Sequence, residues 1–227
     1  MVTSKPNYNI STLINNIDKF YKTINDDIHN SNISWEHCYN IFQKTHWNML
    51  KNGHKISDLS DDDIDLLCLN LAFYLASWGM LRGSSFLYFK DYKIHKFAVE
   101  TILKPEYDEL WLIDYNNEKT DNHIINLIFN ASQEIKACYR PNNPTETLLT
   151  KIMMGTFGCI LGYDTRIKKK LEKLGLTKSF NKESIKELFT LYRYNKLLLN
   201  TKKNRNNSSV IEYPPMKLID MCFWQDD

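Results

Sequence analysis

Residues 148–177 read LLTKIMMGTFGCILGYDTRIKKKLEKLGLT. Apolar positions recur at helical spacing up to Gly155, and Gly155 and Gly158 then open an apolar turn. Asp164 follows where an N-cap belongs, at the head of a basic helix that ends at Gly175. Helix, turn, helix is therefore the local fold, and the rest of the chain extends it. Over 10–28, Leu13, Ile14, Ile17, Phe20, Tyr21, Ile24 and Ile28 fall on one helical face. A second helix is predicted from Ser34, with Glu36 in its first turn and Trp35, Tyr39, Phe42 and Trp47 as its apolar side chains. Ser60-Asp61-Asp62-Asp63 signals the start of a third, running to about Met80. In and beyond it Ala72, Ala76, Gly79 and Gly83 form a small-residue stripe, read as a surface for close helix packing.

Further helices are predicted over 91–103, 122–139, 145–155, 165–174, 182–199 and 215–224, while 110–115 suits strand or helix, with helix favoured. Residues 140–144 (Arg-Pro-Asn-Asn-Pro) break the pattern, and 202–209 read as a polar loop. Only 7 Gly and 6 Pro occur in 227 residues, too few for a turn-dense sandwich. The expectation is a single all-α domain over 1–227 with eight to ten helices, its basic half at 145–227.

The formal net charge is +2, which by itself gives no reason to suspect nucleic acid. The distribution is uneven. Residues 166–205 hold 13 Lys/Arg against Glu172, Glu183 and Glu187, a net of +10, and the other 187 residues carry −8. Such asymmetry fits either a polyanion site or a solvated lysine face.

The segment around Asp164 resembles the helix-hairpin-helix DNA glycosylase superfamily. That group carries its catalytic aspartate in a Val-Asp-Thr-His-Val stretch, followed by a basic helix and Arg-Leu-Gly-Leu. Here the matching residues are Tyr163-Asp164-Thr165-Arg166-Ile167 and Lys173-Leu174-Gly175-Leu176-Thr177, about 30 residues in all. The family's Leu-Pro-Gly-Val-Gly hairpin is not legible, and no four-cysteine iron–sulfur cluster follows. The lysine of bifunctional members has no clear counterpart, since Lys151 lies mid-helix. The resemblance therefore implies a monofunctional glycosylase resembling that fold, acting on a damaged or modified base in DNA, in repair or phage defence. Asp164 would stabilise the positive charge that develops on the sugar, and Arg166, Lys168, Lys169, Lys170 and Lys173 would grip phosphates. The flipped base needs aromatic and polar walls. Trp78, Arg82, Ser84 and Phe86 stand together after the third helix, with Ser85 among them, and are the candidates.

Each assignment has a plainer alternative. Asp164 can be a helix cap alone, and Trp78 a packed core residue beside a surface Arg82. The chain would then be a non-catalytic helical nucleic-acid-binding or protein-interaction protein. Two blocks, 71–87 and 213–225, are similar to segments of uncharacterised bacterial proteins; in the second, Lys217 and Asp220 are expected at the surface.

Other chemistry finds no support in the residues. Five cysteines form no Cys-x-x-Cys pair, and His37, His46 and His54 lack metal-ligand spacing, so neither a metal nor any other cofactor is expected. A P-loop, a G-x-G-x-x-G turn and the Arg–His pair of HEPN-type RNases are missing. A signal peptide and an 18-residue apolar run are likewise not seen, which leads to the expectation of a reduced, cytoplasmic protein with no membrane partner.

Overall fold

A computed structural model describes residues 6–53, 56–205 and 211–224, apart from the side chain of Ser57. The fold is all-helical, with no strand among the described residues. Among the described residues nine α-helices follow one another: α1 (Asn15–Asp26), α2 (Ser34–Lys51), α3 (Asp61–Ser77), α4 (Lys96–Ile102), α5 (Asp121–Ala137), α6 (Glu146–Gly155), α7 (Thr165–Lys173), α8 (Lys182–Asn200) and α9 (Pro215–Cys222). Short 3-10 turns join several of them. Residues 110–115 are helical only to Trp111, where the 3-10 helix Pro105–Trp111 ends. Of the polar loop expected at 202–209, residues 206–209 lie outside the described part, as does His54.

Local chemistry accounts for the helix starts. Ser60 caps α3 through a reciprocal box with Asp63, Thr145 caps α6, and Asn181 with Ser184 boxes the start of α8. The end of α3 departs from expectation. The helix stops at Ser77, and Gly79 and Gly83 sit beyond it at φ +76° and +62°, which favour glycine. They are turn formers, and Ala76 is exposed, so no small-residue packing stripe exists. Close approach happens elsewhere, where Gly155 of α6 lies against the buried Tyr74 of α3.

The hydrophobic core gathers around α9, whose residues Met216–Cys222 are all buried. This helix packs on α1 and α8, while α3 packs on α2, α4 and α6, and α5 spans α4, α6 and α8. Trp35 of α2 donates its indole N–H to the Met154 carbonyl of α6 at 3.0 Å. The N-terminal segment is tied to the far end of the sequence: the Asn195 amide of α8 donates to the Tyr8 carbonyl at 2.6 Å and accepts from Ile10 N–H at 3.2 Å. The helices from 145 onward thus share one core with α1–α5.

Burial of α9 overturns the surface placement of Lys217 and Asp220. Lys217 is 0% exposed and Asp220 6%. The physical reason is mutual neutralisation, with the ammonium 3.1 Å from Asp220 Oδ2. Three aromatic rings face the same ammonium: Trp78 at 4.4 Å, Phe20 at 5.0 Å and Trp35 at 5.2 Å from their centroids.

Candidate functional site

The corner between α6 and α7 is built by hydrogen bonds back to α6. Past Gly155 the chain reverses through Gly158, at φ +70°, where a β-carbon would sit 2.6 Å from Pro214. The returning strand of chain is buried through Tyr163. Tyr163 N–H donates to Thr150 Oγ1 (2.9 Å), and the Thr147 hydroxyl donates to the Tyr163 carbonyl (2.8 Å). The Tyr163 hydroxyl meets Ser184 Oγ of α8 at 2.9 Å. Asp164 is therefore fixed relative to both α6 and α8.

Asp164 caps α7, accepting on Oδ1 from the N–H groups of Arg166 (3.0 Å) and Ile167 (3.1 Å). Its other oxygen, Oδ2, lies 3.3 Å from Lys151 Nζ, and a third of the side chain is exposed. Lys151 is buried in α6, its stem in contact range of Gly162, and its ammonium also donates to the Trp78 carbonyl at 3.1 Å. The same ammonium stands 5.6 Å from the Trp78 ring centroid. Trp78 thus has two ammonium groups, Lys151 and Lys217, within 6 Å of its ring. Its indole N–H is buried and meets no acceptor among the described residues. Burial holds the Lys217 pKa below its usual 10.5, opposed by the Asp220 carboxylate; smaller contributions come from Lys151 and Asp164. Two Lys–Asp pairs and one tryptophan with an unused donor therefore share one corner. Sequence reasoning singled out Asp164 and Trp78, set Lys151 aside as mid-helix, and put Lys217 and Asp220 at the surface, so the three residues that complete the group were not joined to it.

The remaining expected pocket residues form a neighbouring cleft of about 330 Å³. Arg82, Ser84 and Phe86 line it with Gly79, Asn142 and Thr145, and neither Trp78 nor Asp164 is on its wall. The Arg82 guanidinium lies over Gly79, within 3.1 Å of where a β-carbon would stand. Leu148, also on that wall, is one helical turn before Lys151 on α6. The cleft and the Lys151–Asp164 pair are neighbours, not one cavity.

The basic helix is less basic to solvent than its sequence. Arg166, Lys169 and Lys173 are exposed. Lys168 is engaged by Glu146 at 2.6 Å. Lys170, expected as a phosphate contact, is only 4% exposed, because it shares the inward face of α7 with Ile167 and Leu171. The wider basic segment is compensated as well: Lys178 pairs with Glu172, Arg193 with Asp121, Lys202 with Asp18, and Arg205 with Glu36. Glu172 belongs to the segment itself, so among the described residues it is Lys168, Arg193, Lys202, Lys203 and Arg205 that face carboxylates of the −8 remainder.

A larger groove, of about 700 Å³, lies between α2 and residues 110–116. Trp47, Trp111 and Tyr115 line it, and nothing in the sequence had joined them, because the two segments are more than 60 residues apart. Among the described residues no cluster of His, Cys, Asp or Glu is arranged to hold a metal ion. No helix among them is long and apolar enough to cross a membrane. No profile of a known protein family, no curated protein and no solved structure matches the chain.

Proposed function

We propose that the chain is a monofunctional DNA glycosylase that hydrolyses the N-glycosidic bond of a damaged or modified base, with Asp164 as its catalytic carboxylate. The observation that carries this reading is the division of labour within Asp164. One oxygen is used by the helix cap, while the other is held at a partly exposed corner beside Lys151. A carboxylate so fixed needs no reorganisation to stabilise a cationic sugar, which is the electrostatic requirement of bond breaking. It stands at the N-terminus of α7, where the helix dipole favours a nearby phosphate, although the Arg166 and Ile167 amides are taken by its own cap. Arg166 and Lys169 extend that grip on the exposed face, whereas Lys168 and Lys170 are withdrawn from it. Arg82, Ser84 and Phe86 form the adjacent cleft for an extruded base, while Trp78 stays off its wall, with its N–H enclosed and its ring facing Lys151 and Lys217.

Lys151 supports the monofunctional form. Its nitrogen is engaged by the Trp78 carbonyl and the Asp164 carboxylate, so it is committed to two partners within the fold and not presented for covalent attack on the sugar. In this scheme its role is electrostatic.

A second reading has its own support. The pairing of the basic segment with Asp18, Glu36, Asp121 and Glu146 favours a helical binding or interaction protein in which Asp164 only caps α7. The two separate in an assay for alkali-sensitive sites on duplexes that each carry one modified base. Product on at least one duplex supports the glycosylase. No product on any duplex, with salt-sensitive DNA binding retained, supports the binding protein.

A further inference from the structure

The cleft beside the α6–α7 corner is walled by two chain segments, 79–86 after α3 and 142–148 at the start of α6. The backbone sets its shape. Gly79 and Gly83 adopt left-handed φ. Because Gly79 carries no β-carbon, the Arg82 guanidinium can lie within 3.1 Å of where one would stand. On the second segment Asn142 N–H donates to the Tyr139 carbonyl at 2.8 Å, and Thr145 caps α6.

The cleft is rich in unused donors and holds no negative charge. Arg82 is exposed, is the one charged residue on the wall, and has no carboxylate partner among the described residues. Its guanidinium offers five N–H donors and no acceptor. The Ser84 hydroxyl and the Asn142 and Asn143 side-chain amides likewise meet no partner among the described residues. Ser85 and Thr145 accept from the N–H groups of Leu87 (3.4 Å) and Leu148 (3.2 Å), which leaves both hydroxyl hydrogens to donate. Carboxylates close by are engaged elsewhere. Glu146 holds Lys168 at 2.6 Å and the Phe180 N–H at 2.9 Å, and Asp164 is taken by its cap and by Lys151.

An unpaired guanidinium with hydroxyl and amide donors on two segments, and no acid on the wall, suits an anion that only accepts. The tetrahedral oxygens of a phosphate can meet both segments, whereas the two oxygens of a carboxylate lie in one plane. A volume of about 330 Å³ also leaves room for the organic group that the phosphate is esterified to.

We infer that this cleft is a phosphate site, in which Arg82 clamps two phosphate oxygens and the hydroxyl and amide donors complete the shell. Its phosphate is either that of the extruded nucleotide in DNA, an assignment that rests on the glycosylase reading, or that of a small phosphate ester, which does not.

Two titrations of the full chain test the site and separate the sources. The first uses a DNA duplex with one tetrahydrofuran abasic analogue, in which a neutral methylphosphonate replaces each flanking phosphate in turn. At one position the replacement weakens wild-type binding about tenfold and leaves the binding of Arg82→Gln unchanged. The second compares glycerol 3-phosphate with glycerol. The ester binds with a dissociation constant of about 1 mM or tighter, glycerol does not bind, and Arg82→Gln weakens the ester about tenfold. A response in the first titration assigns the site to DNA, and a response in the second alone assigns it to a small ester. Ser84→Ala combined with Asn143→Ala, both exposed positions, carries the test if a melting curve shows Arg82→Gln unfolded. Neither readout needs base release, so phosphate binding without release refutes the glycosylase alone. No response in either titration, an equal response of wild type and Arg82→Gln, or equal binding of glycerol and its phosphate would each overturn the inference.

Discussion

Replacing Asp220 with asparagine isolates the most heavily buried charge in the fold. Lys217 is fully buried with its ammonium 3.1 Å from Asp220 Oδ2, and Asp220 itself is 6% exposed. Asparagine keeps the volume and a hydrogen-bonding oxygen but removes the counter-charge. Breaking a buried pair from one side costs about 3–5 kcal/mol, because the remaining charge is left desolvated. In a chain of this length each kcal/mol lowers the melting temperature by about 2–4 °C, so Asp220→Asn should melt about 6–20 °C below wild type. The sign of the pH dependence follows from the same burial. The Lys217 pKa is already lowered from 10.5, so the unfolded chain takes up a proton at a pH where the folded chain does not. That contribution to stability is present above about 10.5 and is lost as pH falls through the lowered pKa. Without Asp220 the pKa falls further and the loss spans a wider range. Urea denaturation at several pH values measures both effects. The double variant Lys217→Met with Asp220→Leu should recover most of the stability, since an apolar pair of similar volume needs no neutralisation. A single variant within about 0.5 kcal/mol of wild type at neutral pH would refute this account of the core.

Three further outcomes follow from the geometry. Gly155→Ala places a β-carbon 2.3 Å from a Tyr74 ring carbon, and should lose about 1–3 kcal/mol or more by chemical denaturation. His95 is buried against the Tyr139 hydroxyl at 2.7 Å, and burial lowers its pKa from 6.5 to about 4. Stability should therefore drop as pH falls from 6.5 toward 4, by about 3 kcal/mol in full, and a His95→Gln variant should show a shallower acid limb. On DNA, Arg166→Gln and Lys169→Gln should each reduce the salt dependence of binding by about one phosphate contact. The inward-facing Lys170→Met should leave that slope unchanged and show its effect in a melting curve instead.

The helices and their starts were legible because their determinants are local. Ser60, Thr145, Asp164 and Asn181 precede their helices and cap them through side-chain oxygens within three residues. Contacts between distant segments were not legible. Lys217 and Asp220 sit at i and i+3, the same spacing an exposed helical ion pair would have, and only the packing of α1 and α8 on α9, with Trp35 of α2 facing the ammonium, puts them inside. The net of +10 over 166–205 suggested an open basic face because its partners lie far away in sequence. Arg205 meets Glu36 across 169 positions, and Lys202 meets Asp18 across 184. Gly79 and Gly83 kept the helical spacing of Ala72 and Ala76 by coincidence, and their left-handed backbone ended the stripe. Asp164 was legible as a cap; its contact with Lys151 depends on the turn at Gly158, whose tightness no local pattern reports.

Under the proposed function Asp164 is catalytic as well as structural. Single-turnover measurement of base release from a modified-base duplex, comparing wild type with Asp164→Asn, tests it most directly. Asparagine is as good an N-cap as aspartate, but it removes the carboxylate facing the buried Lys151, which keeps the Trp78 carbonyl as a partner; the variant is therefore less stable than wild type, and its folded state is checked by a melting curve before rates are compared. The variant should fold, bind the duplex, and release base at least about a hundredfold more slowly than wild type. Equal rates of release from the two proteins would contradict it.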